Sequence, residues 1–150
     1  MALVEGTDTY LSVAGADEYH AGLGHAAWAA AATEAKEIAL RAATQYIDSR
    51  YRFVSAVLVA NQPLEWPRLK YPWPQKRVLS ATAELALRAL AGSLYVDVNG
   101  AERIKKETIG PITTEFAEAV NDGQVCYALV DDLLCPLLWV RTTTVRMVRA

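Results

Sequence analysis

The stretch KRVLSATAELALRALAG, residues 76–92, decides the fold. It opens just after Pro74, a residue tolerated at a first helical turn, and reaches Gly92, a natural C-terminal cap. Leu79, Ala83, Ala86, Leu87 and Leu90 share one helical face, while Val78, Ala81, Leu85 and Ala89 form a second apolar stripe. After Arg77 its only charges are Glu84 and Arg88. A helix apolar nearly all round is buried on several sides, so it is either the central core helix or gives one face to another subunit.

Working outward, Thr33 is expected to cap a helix in which Ala35, Ile38, Ala39, Ala42 and Tyr46 follow helical spacing, ending near Arg50. A short first helix starts at Ser12, a good N-cap, and is weakened by Gly22 and Gly24. Between the long helices, Pro63, Pro67, Pro72 and Pro74 predict a loop over 51–74, whose Trp66, Tyr71 and Trp73 should pack against helices or a partner. Downstream, Ile109-Gly110-Pro111 splits two short runs and predicts a β-hairpin over 103–116. Cys126, Val130, Leu133, Leu134 and Leu137 mark a fourth helix that Pro136 should kink or shorten. The acid-free end from Val140 reads as an extended tail or edge strand. The fold class is therefore mainly α: a small bundle of about four helices, a β-hairpin and an extended C-terminal arm. The helical domain spans 1–138 and the arm 139–150.

A chain of 150 residues, 53% hydrophobic and 21% charged, can bury a sizeable core as one domain. No apolar run approaches the roughly 18 residues of a membrane span, and the start lacks a basic-then-apolar signal, so a soluble, unexported protein is expected. Cys126 and Cys135 have no zinc spacing and read as reduced core thiols. His20 and His25, five apart with two glycines nearby, are expected on different helical faces and make no metal pair. Asp17 and Glu18 read as the acids of a helix N-terminal turn. Asp131 and Asp132, adjacent on a helix, point about 100° apart and cannot converge. No phosphate loop, nucleophile elbow or HExxH motif occurs. Neither an enzyme, a cofactor nor a metal is expected.

The formal net charge of −2 hides segregation: residues 1–49 hold two basic and seven acidic side chains, 50–106 ten and four, and 107–150 three and six. This suits subunits that meet with complementary charge, and equally a basic surface for nucleic acid. Arg50, Arg52, Arg68, Lys70, Lys76 and Arg77 interleave with Tyr51, Trp66, Tyr71 and Trp73, and are the candidate DNA-facing residues, since cations track phosphates and aromatic faces stack bases. The competing account puts the tryptophans in the core and leaves the cations solvated or paired with a neighbour's acids.

YLSVAGADEYHAGLGHAAW (10–28), TEAKEIALRAATQYIDSRY (33–51), PLEWPR (63–68), ATAELALRALAG (81–92), ERIKKETIGPI (102–112) and DDLLCPLL (131–138) occur in one order across nearly the whole chain. Together they resemble a family of tailed-bacteriophage head–tail connector or head-completion adaptors, often labelled DnaT-like single-stranded-DNA-binding proteins. The chain departs from the pattern in a shorter loop at 71–75. The resemblance implies a structural virion protein, assembled in the bacterial host cytoplasm and located at the virion neck. It would form a homo-oligomeric ring of twelve subunits beneath the portal protein, receive the tail or a stopper protein, and let DNA pass through its lumen, with no membrane partner. On this chain Trp139, Arg141, Val145, Arg146, Met147 and Arg149 would form an arm to the portal. Arg103, Lys105, Lys106, Ile109 and Ile112 would contact neighbouring subunits or the tail. The alternative takes the label literally, as a single-stranded-DNA-binding or replication accessory protein.

Overall fold

The computed structural model describes residues 3–72, 74–95, 106–109, 112–115 and 125–139. Ser12 starts α1 (Val13–Leu23), its hydroxyl accepting from Gly15 N at 3.3 Å, and Gly24 ends it in the left-handed region at φ 71°. That conformation favours glycine and reverses the chain sharply. The alanines that follow form a single helical turn, α2 (Ala26–Ala30).

The next helix, α3 (Thr33–Arg50), appears where its periodicity placed it. Thr33 is not its cap, however: Ala32 holds that position with no side-chain hydrogen bond, and Thr33 is the first helical residue. The deciding stretch forms α4 (Lys76–Ala91). Gly92 follows it with extended backbone, φ 163° and ψ −173°, so the helix stops without a left-handed cap.

The over-apolar helix lies at the centre of the packing. Helix α4 packs against α3, α1, α2 and α5, and every residue from Ala81 to Ala86 is buried. The three alanines among those six positions let neighbouring backbones come close, and Leu85 fills much of the remaining volume. The polar members are satisfied locally: Thr82 Oγ1 donates to Val78 O at 2.8 Å, and buried Glu84 accepts from Arg88 at 2.8 Å and from Tyr19 Oη at 3.1 Å.

The described part of 51–75, residues 51–72 and 74–75, is irregular but closely bonded. Val57 bridges to Arg68, and Arg68 to Tyr71. The Trp66–Pro67 peptide is cis. Phe53, Leu64 and Trp66 enter the core. Helix α5 (Ala128–Leu134) gives way to a 3-10 turn at Cys135–Leu137, the shortening that Pro136 predicted. Cys126 and Cys135 are both exposed, which corrects their assignment to the core: Val130, Leu134 and Leu137 are the inward positions of this segment.

Strands β1 (Lys106–Ile109) and β2 (Ile112–Glu115) pair antiparallel, with Ile109 opposite Ile112 and Lys106 opposite Glu115. The expected hairpin is therefore present. Leu138 bridges to Phe53, and Trp139 N donates to Arg52 O at 2.8 Å, so the arm's first residue leaves alongside the start of the 51–75 segment. Among the described residues, no helix is long and apolar enough to cross a membrane.

Candidate nucleic-acid interface

The residues expected to meet DNA divide into two groups. Arg50 and Arg52, on either side of the C-terminal end of α3, are exposed. Tyr51 between them is buried, and its hydroxyl donates to Asp131 on α5 at 2.6 Å. Burial and that carboxylate push the Tyr51 hydroxyl's pKa well up. The ring therefore fastens α3 to α5 and offers no stacking face.

Arg68 is only 6% exposed. Its guanidinium donates to Ser55 O and to the Glu65 carboxylate, and lies 5.5 Å over the Phe53 ring. Its neighbour in sequence, Trp66, is 2% exposed, edge-on to Phe53 at 5.4 Å and stacked on half-buried Tyr71 at 5.9 Å. The indole plugs the core, the competing account of this residue. The remaining cations are outward. Lys70 is exposed, its ammonium 5.5 Å from the Tyr71 ring, and Lys76 and Arg77 occupy the first turn of α4 on its outer side. Cations at a helix N-terminus oppose the helix dipole, a mild cost that a bound anion there would relieve.

Asp48 anchors the middle of this segment. Its carboxylate accepts from the Tyr10 hydroxyl and from Glu65 N at 3.4 Å. Burial pushes its pKa up to about 6, against the opposing pull of those hydrogen bonds.

Among the other candidate residues, Lys106, Ile109 and Ile112 lie on the paired strands. Trp139 is 67% exposed. Arg103, Lys105, Arg141, Val145, Arg146, Met147 and Arg149 lie outside the described residues, as does Trp73.

A second cluster contradicts the sequence reading. Gly24 turns the chain so that His25, placed just before α2, faces back onto α1, and the two histidines meet with Nδ1 atoms 2.8 Å apart. Helical spacing failed here because the helix ends between them. His20 Nε2 lies 3.1 Å from Ala83 O on α4. Asp17 is likewise not an N-terminal acid: it sits a turn further in and its Oδ1 accepts from Trp28 Nε1 at 2.7 Å and from Lys36 Nζ at 2.8 Å. Burial pushes the Asp17 carboxyl up, but these donors outweigh it and hold its pKa below the usual value. Asp17, His20, His25, Trp28 and Lys36 line a cavity of about 480 Å³. No group of three potential metal ligands occurs among the described residues.

A family model described as "Putative DnaT-like ssDNA binding protein" matches residues 2–150. The chain belongs to this family. No curated protein and no solved structure matches it. For this DnaT-like chain the family description names single-stranded DNA, the ligand class that the exposed cations around the 51–75 segment suit. It does not name a head–tail connector.

Proposed function

We propose that the chain binds single-stranded DNA by its phosphate backbone, through Arg50, Arg52, Lys70, Lys76 and Arg77. The observation that carries this reading is the division within one segment: these five cations face outward, while Trp66, Tyr51 and Arg68 are spent on the core. Phosphate contacts by themselves bind weakly and tolerate any sequence, because base stacking on a side chain is what adds about 1–3 kcal/mol per base. It is also salt-sensitive, log affinity falling with log salt at about −0.7 per phosphate neutralised. Titrating a labelled oligothymidine at several salt concentrations tests it. Three to five contacts give a slope of about −2 to −3.5, and Lys70→Ala combined with Arg52→Ala should make it shallower by about 1.4. A slope unchanged by those substitutions would remove these cations from the interface. The role is non-enzymatic.

A second reading, a structural subunit of a phage neck, is favoured by a different observation. Leu58 N donates to Pro67 O and Leu69 N to Ala56 O around the Val57–Arg68 bridge. Strand alternation then sets Ala56, Leu58, Pro67 and Leu69 on the side opposite buried Arg68. Leu58 and Leu69 are 41% and 61% exposed. An exposed apolar ribbon suits repeated subunit contacts. In this reading the chain forms a ring beneath the portal, twelve subunits around passing DNA, receives the tail or stopper, and uses 139–150 as the portal arm. Adding the protein to DNA-filled heads that lack it and imaging the vertex distinguishes the readings. A ring at the portal supports the second, and bare vertices beside salt-sensitive DNA binding support the first.

A further inference from the structure

The carbonyl on one side of His20 assigns every proton in the histidine pair. Ala83 O can only accept, so His20 Nε2 carries the hydrogen, and neutral His20 presents a lone pair at Nδ1. The 2.8 Å contact then requires His25 Nδ1 to donate. Of the pair's four nitrogens, His25 Nε2 makes no hydrogen bond among the described residues. A proton placed there strengthens the bond, because a charged donor makes a shorter, stronger hydrogen bond. A second proton has only His20 Nδ1 to occupy, the atom that accepts the bond, and two N–H groups would then face each other.

We propose that this pair is an acid-operated latch: the second proton breaks the His20–His25 bond, frees the turn between α1 and α2 from α4, and opens the cavity beside Trp28. His20 is the fixed half, 1% exposed and tied to α4, with its ring 4.6 Å from that of Trp28. His25 is the mobile half, part-exposed, on a reversed turn that leads into a helix of five residues with no side-chain cap. Once it lets go, Trp28 is the one buried side chain among the described residues that holds α2 inward.

The charged and titratable groups around the pair come from each neighbouring element. On α1, Asp17 is engaged by Lys36 of α3 and by Trp28, and Tyr19 donates to Glu84. On α4, Glu84 is paired with Arg88. Both carboxylates favour a charged His20, but both already have their cation. Burial acts most strongly, the Ala83 bond opposes it, and the nearby His25 adds to it, leaving the His20 pKa below its ordinary value.

Long-range nitrogen–proton NMR on the full chain at pH 8 should show His20 protonated at Nε2 and His25 at Nδ1. Amide exchange, corrected for the intrinsic effect of pH, should then lose at least tenfold protection at His25, Ala29 and Ala31 as His20 Nδ1 takes its proton, while α3 and α4 keep theirs. His25→Ala should be poorly protected at these amides at every pH, with no step. Finding His20 protonated at Nδ1 at pH 8 would overturn the latch. So would protection at these amides that persists through His20 protonation, or that is lost together with α3 and α4. If His25→Ala does not fold, the two measurements on the native chain decide.

Discussion

Replacing Trp66 by Ala should unfold the domain more easily rather than weaken DNA binding directly. The side chain is 2% exposed and packs between Phe53 and Tyr71, so truncation leaves a cavity, with a usual cost of about 3–5 kcal/mol. Its buried Nε1 hydrogen finds no acceptor among the described residues, and deleting an unsatisfied donor recovers about 1–3 kcal/mol. The difference is about 2 kcal/mol, a shift of about 4–8 °C in Tm for a domain of this size. Trp66→Phe keeps most of the ring and drops the orphan N–H, so it should cost less than about 1 kcal/mol. Thermal melts followed by circular dichroism give the stability, and an oligothymidine titration below both transitions gives the binding. An unchanged melting point with lost DNA affinity in Trp66→Ala would refute the core assignment and make the indole a base-stacking platform.

Further expectations concern charge and the chain end. Asp48 has a folded pKa of about 6 against an ordinary 3.8. The folded state thus binds more protons in that window, and Asp48 makes the protein less stable as pH rises from about 4 to 6. Asp48→Asn should remove that component, seen as a more positive slope of urea-unfolding free energy against pH than in the wild type. His20 acts oppositely, because its folded pKa is lowered: stability should be lost as pH falls below about 6.5, and His20→Gln should lose this dependence. Asp17→Ala strands the Lys36 ammonium, 10% exposed, and the Trp28 N–H together, and should cost about 2–4 kcal/mol in urea melts. Lys36→Met in that background should recover part of the loss. Deleting 139–150 should leave a folded chain less than about 2 kcal/mol weaker, since among the described residues it takes from the domain the hydrogen bond from Trp139 N to Arg52 O. A collapse of the melting transition would show that the arm belongs to the domain.

The helices were legible because periodicity and end signals are local. The alternation of Leu and Ala in 76–92, the Ser12 cap and the break at Pro136 each act within a few residues, and all three appear in the structure. The Ile109-Gly110-Pro111 signal worked for the same reason. Thr33 misled because a good capping residue one position inside the helix looks identical in sequence to one at its boundary. The cysteines misled because the apolar run is longer than the helix it forms: Cys126 lies before α5 and Cys135 after it, and both are exposed.

By itself, then, the sequence determined the element types, the mainly helical class and the uneven charge, all consequences of side-chain pattern along the chain. Tertiary structure decided what each chemically interesting side chain does. Arg68 and Trp66 looked equivalent to Lys70 and Tyr71 until packing buried the first pair and left Lys70 exposed. His20 and His25 became partners only because the left-handed Gly24 folds one back onto the other, while Ala83, far away in the chain, settles which nitrogen carries the proton. Such pairings depend on where distant backbones cross, and no local pattern of residues encodes that crossing.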